Sequence, residues 1–328
     1  MLFLCYPKCS TCQKAKAWLD AHGVSVTVRD IKTDRPTAEE LRAWHARSGL
    51  PLKRFFNTSG LVYRSLGLKD KLSTLTEEEQ LALLATDRRA AELIRGAGEI
   101  DLAVLPEMFC CPYDNSCFHR YGEEAGGEAQ QALSALARER GIWLIGGSIP
   151  ELEGGNVYNT SFVYAPDGSC AARHRKTHLF DIDVAGGQRF MESETLTPGS
   201  DITTFETPWG TMGLCICFDF RFEELARLMP LRGAKVLIVP AAFNMTTGPA
   251  HWELLFRQRA VDNQVFTVGT SPARDESASY HAWGHSIVCD PWGSVISACG
   301  AEETVAVTEL DFARIDAVRH QLPILSAR

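Results

Sequence analysis

Cys217 closes a short apolar run, Met212-Gly213-Leu214-Cys215-Ile216-Cys217, and a turn-like stretch, Phe218-Asp219-Phe220-Arg221-Phe222, follows it. A helical pattern follows, with Glu223-Glu224-Leu225 inside a helix expected over Arg221–Leu231, and Thr304–Thr308 is expected as a strand. A thiol at a strand-to-helix turn stands beside free backbone N–H groups, where its thiolate can attack a carbonyl. Alone, a cysteine on an apolar strand reads as core packing. Two other residues change that reading. Glu107 ends the apolar run Leu102-Ala103-Val104-Leu105-Pro106, and Lys176 follows the hairpin around Pro166-Asp167-Gly168. Each has a plainer alternative, a helix cap for Glu107 and a solvated loop charge for Lys176. Together they form the set that acyl transfer from an amide requires: a nucleophile, a proton carrier and a cation for the oxyanion.

A second thiol pair stands near the start of the chain. The apolar run Leu2-Phe3-Leu4-Cys5-Tyr6 leads to Cys9-Ser10-Thr11-Cys12, then to a helical stretch through Gln13–Leu19 closed by Gly23. Val24–Val28 alternates as a strand does. Helix starts are expected at Thr37 and at Thr76, each with an acid two or three residues on. Strand, Cys-x-x-Cys, helix predicts a thioredoxin-like unit in which the helix N-terminus stabilises the Cys9 thiolate.

The order Glu107, Lys176, Cys217 resembles the carbon–nitrogen hydrolase (nitrilase) superfamily. The segment Gln188-Arg189-Phe190-Met191-Glu192-Ser193 is similar to the one carrying that family's second glutamate, here Glu192. Phe243–Glu253, Arg259–Gln264, Ser271–Asp275 and Ala282–Ser286 look like the omega-amidase branch. The resemblance covers roughly residues 88–328. It implies an α/β fold with a four-layer αββα sandwich and a homodimer. No cofactor is expected, and no metal, since Cys110-Cys111 and Cys117 lack a second Cys/His pair at zinc-finger spacing. The resemblance also implies site roles: Cys217 as nucleophile, Glu107 as base and acid, and Lys176 with the Phe218 N–H as oxyanion donors. Glu192 orients Lys176 or the substrate, and Arg221 clamps a substrate carboxylate beside Tyr113, Phe243 and Thr247. The plainer reading of Arg221 is a surface ion pair with Glu224. Small dicarboxylate monoamides such as alpha-ketoglutaramate are the implied substrates, with deaminated glutathione as the larger alternative.

Residues 1–87, including Gly49–Gly60, resemble the arsenate reductase/Spx-like family. Both resemblances are cut at one joint. Leu83-Leu84-Ala85-Thr86-Asp87 runs directly into Arg88–Ile94, so the first family's Arg-Pro hairpin and the second family's opening strand are both missing. The joint reads as a gene-level deletion that fused two frames, ahead of a true fusion in which Leu2–Tyr6 or Val24–Val28 supplies the lost strand. The competing functions are thiol redox or arsenate reduction at Cys9 and Cys12, and an inactive fusion product.

Composition narrows the class. Of 328 residues, 45% are hydrophobic and 23% charged, as in ordinary globular proteins. Residues 1–87 hold 13 Lys and Arg against 10 Asp and Glu, and the rest hold 20 against 31. That shift from +3 to −11 supports a boundary near 87 and gives no basic surface for nucleic acid. No apolar run approaches the roughly 18 residues of a membrane span, and no leader pattern opens the chain. Eleven irregularly spaced cysteines without such a leader predict reduced thiols in a cytoplasm.

Overall fold

A computed structural model of the chain describes residues 2–5, 9–30, 36, 38–56, 90–276 and 278–327. The expected helix at Thr76 and the joint at 83–89 lie outside the described residues. The chain divides into two compact units, Met1–Thr86 and Asp87–Arg328.

In the first unit, β1 (Leu2–Cys5) leads to α1 (Ser10–Ala21), which Gly23 ends at φ 68°. Strand β2 (Thr27–Asp30) then returns parallel to β1, with Leu2 opposite Thr27, and α2 (Ala38–Ser48) follows. The β1–α1–β2 order is the one a parallel pair needs, because its crossover must span the sheet. Among the described residues β1 and β2 pair with each other.

Two sheets build the second unit. The first contains β3 (Leu102–Val104), β4 (Trp143–Ile145), β5 (Ile149–Glu153), β6 (Asn156–Tyr164) and β7 (Cys170–Arg175). Helices α3 (Asn115–Tyr121) and α4 (Glu128–Arg140) join β3 to β4, and Gly141 closes α4 at φ 65°. Among the described residues β3 is an edge, parallel to β4. A small hairpin, β8 (Asp181–Asp183) with β9 (Arg189–Met191), comes next. The second sheet runs β10 (Thr203–Thr207), β11 (Gly210–Leu214), β12 (Val236–Pro240), β13 (Phe266–Thr270), β14 (Ile287–Cys289) and β15 (Val295–Ala298), with β11, β12 and β13 parallel. Helices α5 (Glu223–Leu231) and α6 (Gly248–Asn263) cross between those parallel strands, and α7 (Ala313–Gln321) ends the chain.

Burial explains the pattern. Val163 and Ile145 of the first sheet share one core with Met212, Leu214, Val236 and Ile238 of the second. Ala226, Met229, Trp252 and Phe256 of α5 and α6 pack with Leu237 and Val239 in a separate core. Leu133, Leu136 and Ala137 of α4 pack with Leu144 and Phe162 in a third. Strands covered on both faces read as continuous apolar runs, as Val236–Pro240 does.

Four expected elements differ. The strand expected over Val24–Val28 forms instead over Thr27–Asp30, the stretch that pairs with β1. The strand over Met212–Cys217 stops at Leu214, because the Ile216 N–H is taken by the Asp219 carboxylate and Cys217 adopts φ 48°. The helix expected from Arg221 begins at Glu223, with Cys217–Arg221 forming a 3-10 turn ahead of it. Thr304–Thr308 is irregular, with Val305 and Val307 exposed. An alternating sequence forms a strand only where a neighbour completes its hydrogen bonds.

Candidate active site

The Glu107 turn leaves the end of β3 through Leu105 and Pro106. Its successor, Met108, takes φ 49°, and the Met108 N–H donates to Ser148 Oγ at 3.0 Å. Gly147 makes the turn possible, since a Cβ there would lie 2.0 Å from the Pro106 carbonyl oxygen. Lys176 leaves the end of β7, held by its N–H to the Asn159 carbonyl at 2.8 Å. Its ammonium is buried, at 1% exposure, and so is not a solvated loop charge.

The side chains converge. Lys176 Nζ donates to Glu107 Oε1 at 2.9 Å and to Glu192 Oε1 at 3.0 Å. The Tyr113 hydroxyl donates to Glu192 Oε1 at 2.6 Å and lies 3.3 Å from Glu107 Oε1. Asn159 Nδ2 donates to Glu107 Oε1 at 2.8 Å, and the Phe180 N–H donates to Glu192 Oε2 at 2.7 Å. Glu107 Oε2 is buried and unengaged among the described residues, while the Cys217 thiol acts on that carboxylate.

Electrostatics follow from burial. Desolvation pushes Glu107 up from the usual carboxylate range; Lys176 opposes that rise and Glu192 adds to it. Desolvation pulls Lys176 down, but Glu107 and Glu192 outweigh it and hold the ammonium charged. Cys217 is pushed well up by burial and by the Glu107 charge, against Lys176. The free thiol is therefore protonated, and it becomes a nucleophile only as its proton leaves. Cys217 also sits in the left-handed region, which costs a non-glycine residue about 1–3 kcal/mol.

Arg221 ends the 3-10 turn. It meets His251 rather than Glu224, donating from its guanidinium to His251 Nδ1 at 3.0 Å. Among the described residues no carboxylate pairs with it, and it lies over the Phe218 and Phe243 rings at 5.6 and 4.7 Å. Burial lowers its pKa from the ordinary arginine value. Phe243 is buried against Trp252, and the Thr247 hydroxyl donates to Asn244 Oδ1 at 3.0 Å. Cys215, one strand step before the turn, is fully buried.

Several residues emerge only from the structure. Asn159 bridges Lys176 and Glu107, and its signal was the polar run Asn159-Thr160-Ser161 inside a nine-residue strand. Tyr280 stacks on Tyr113 with ring centroids 4.5 Å apart and donates its hydroxyl to the Ala242 carbonyl. No local sequence signal marked it. Among the described residues no group of three or more His, Cys, Asp and Glu side chains could hold a metal ion. In the first unit Cys9 caps α1 in an extended conformation, and N–H groups of Cys12 and Thr11 lower its thiol pKa.

With that geometry in hand, the relatives are informative. The carbon-nitrogen hydrolase family model matches residues 75–320, and a glutaredoxin model, rather than an arsenate reductase or Spx model, matches residues 1–52. The glutaredoxin match agrees with a thioredoxin-like start. The chain is 52% identical over 242 residues to omega-amidase NIT2 of Mus musculus, covering 73% of this chain and 88% of that protein. It is 49% identical over 249 residues to omega-amidase NIT2 of Homo sapiens, covering 75% and 90%. The crystal structure of Saccharomyces cerevisiae Nit3, a member of branch 10 of the nitrilase superfamily, superposes with a TM-score of 0.68 at 43% identity, covering 73% of this chain and 88% of that one. No helix among the described residues is long and apolar enough to cross a membrane. The chain therefore belongs to the carbon-nitrogen hydrolase family, and it is a hydrolase of the amidase type.

Proposed function

We propose that the chain hydrolyses a small carboxylate-bearing amide through a thioester on Cys217, as an omega-amidase of the alpha-ketoglutaramate type. The observation that carries this reading is the Lys176 ammonium held between Glu107 and Glu192, with the Cys217 thiol against Glu107. Glu107 takes the thiol proton through its unengaged Oε2 as sulfur attacks the amide carbon. Lys176 and the Phe218 N–H, at the open start of the 3-10 turn, hold the oxyanion. Glu107 next protonates departing ammonia, and then activates the water that cleaves the thioester. Glu192 keeps Lys176 charged and in place. Arg221, without a carboxylate partner of its own among the described residues, takes the substrate carboxylate bidentately, with Tyr113, Phe243 and Thr247 around it.

The same reading includes a boundary at 87/88, an αββα layering supported by the three cores, a homodimer and a cytoplasmic setting. Thiol redox chemistry at Cys9 and Cys12 is the second reading, supported by the place of Cys9 at the start of α1 and by the donors that lower its thiol pKa.

The test is ammonia release from alpha-ketoglutaramate by wild type and Cys217→Ala. Release by wild type, falling by about 10⁴-fold or more in the variant, is expected. Turnover that survives the substitution would refute the reading.

A further inference from the structure

We infer that Asp219 is a positioning residue, one carboxylate that locks the nucleophile turn to the segment carrying the oxyanion lysine. The inference rests on the function proposed above and adds to it a residue outside the reacting groups.

Asp219 lies two residues past Cys217 and is fully buried. Its Oδ2 accepts the Ile216 N–H at 3.1 Å and His174 Nε2 at 3.0 Å. Its Oδ1 accepts the N–H groups of Thr177 at 3.0 Å and His178 at 2.7 Å, and His178 Nδ1 at 2.9 Å. A carboxylate only accepts, so both imidazole nitrogens that face it must carry protons. Five donors therefore converge on two oxygens.

The donors fall into two groups. Ile216 precedes the nucleophile, and its capture ends β11 and holds Cys217 at its positive φ. His174, Thr177 and His178 flank Lys176 on both sides. Strain of this kind persists only where surrounding contacts over-determine it. The same carboxylate thus sets the sulfur relative to the ammonium without touching either. His178 is itself steadied by stacking on Phe222, with ring centroids 3.7 Å apart, and His174 Nδ1 lies 2.9 Å from the Thr203 hydroxyl.

Asp219→Asn keeps the shape and replaces one acceptor oxygen with a donor, so either the turn or the lysine segment loses its anchor. In the full-length chain that variant should melt cooperatively, lose about 100-fold in kcat for ammonia release, and keep KM within about threefold, because a misplacement near 1 Å costs that much. Alkylation of Cys217 by iodoacetamide, followed on its own peptide by mass spectrometry, should change about tenfold in rate while Cys9 alkylation stays as in wild type. A folded Asp219→Asn with kcat within about twofold of wild type overturns the inference. If that variant does not fold, His178→Phe decides. It keeps the ring stack and the backbone N–H but removes one donor, and kcat should fall about tenfold at unchanged KM. An unchanged kcat there also overturns it. If wild type releases no ammonia from this amide, the alkylation rates still judge Asp219, so the two failures are separable.

Discussion

Cys9 and Cys217 each stand where a strand hands over to a helix, yet their surroundings tune them in opposite directions. Cys9 has ordinary extended backbone angles, and hydrogen bonds from Cys12 and Thr11 lower its pKa. Nearby donors favour a standing thiolate there. Cys217 is fully enclosed, takes a positive φ, and has a carboxylate as its main charged neighbour. Burial and that neighbour disfavour a standing thiolate. A junction exposes a thiol to N–H groups, but its depth and nearest charge decide whether it acts as a thiolate or as a thiol deprotonated on demand. The first suits exchange with another sulfur, and the second suits attack concerted with proton transfer to a base.

The comparison sharpens fastest at Lys176. It is the cation that partly offsets the Glu107 charge at Cys217. Lys176→Met should cut ammonia release by about 10³-fold or more. It also strands two buried carboxylates, so a denaturant titration should show a loss of about 3–5 kcal/mol. Near-normal stability would mean that the cluster is more hydrated than its burial implies. A smaller effect is expected at Arg221. Arg221→Met should raise KM about 10- to 100-fold with kcat within a few-fold, since a substrate carboxylate held equally in ground and transition states affects binding alone. A fall in kcat at constant KM would move Arg221 from substrate clamp to transition-state contact.

Much of this site was legible because Glu107, Lys176 and Cys217 each stand near the end of an apolar or alternating segment, where a rigid scaffold hands over to the turns that carry chemistry. Lys176, read alone, was as compatible with a solvated loop. Only the return of β7 alongside β6 carries it to Glu107, 69 residues earlier in the chain. Asn159 and Asp219 were not singled out, since each gains meaning from partners on other elements. The strand end at Leu214 was hidden for a related reason: Cys215 and Ile216 continue an apolar pattern, and a distant-looking Asp219 side chain ends it. The irregular Thr304–Thr308 shows the converse, a strand-like pattern without a described strand beside it. Arg221 lies in the expected turn, and the Glu224 pair of its plainer reading is absent because His251 reaches it from α6.

The most direct test of the contrast is the pH dependence of alkylation at each cysteine in the wild-type chain, resolved by peptide mass. Only the thiolate reacts, so a lowered pKa moves the rise in rate to lower pH and a raised pKa moves it higher. Cys9 should reach half its limiting rate below the ordinary thiol value of roughly 8.5. Cys217 should remain slow through that range and accelerate only above it. A Cys217 that reacts as a thiolate at neutral pH, as fast as Cys9 or faster, would contradict the claim that its proton is held until Glu107 removes it.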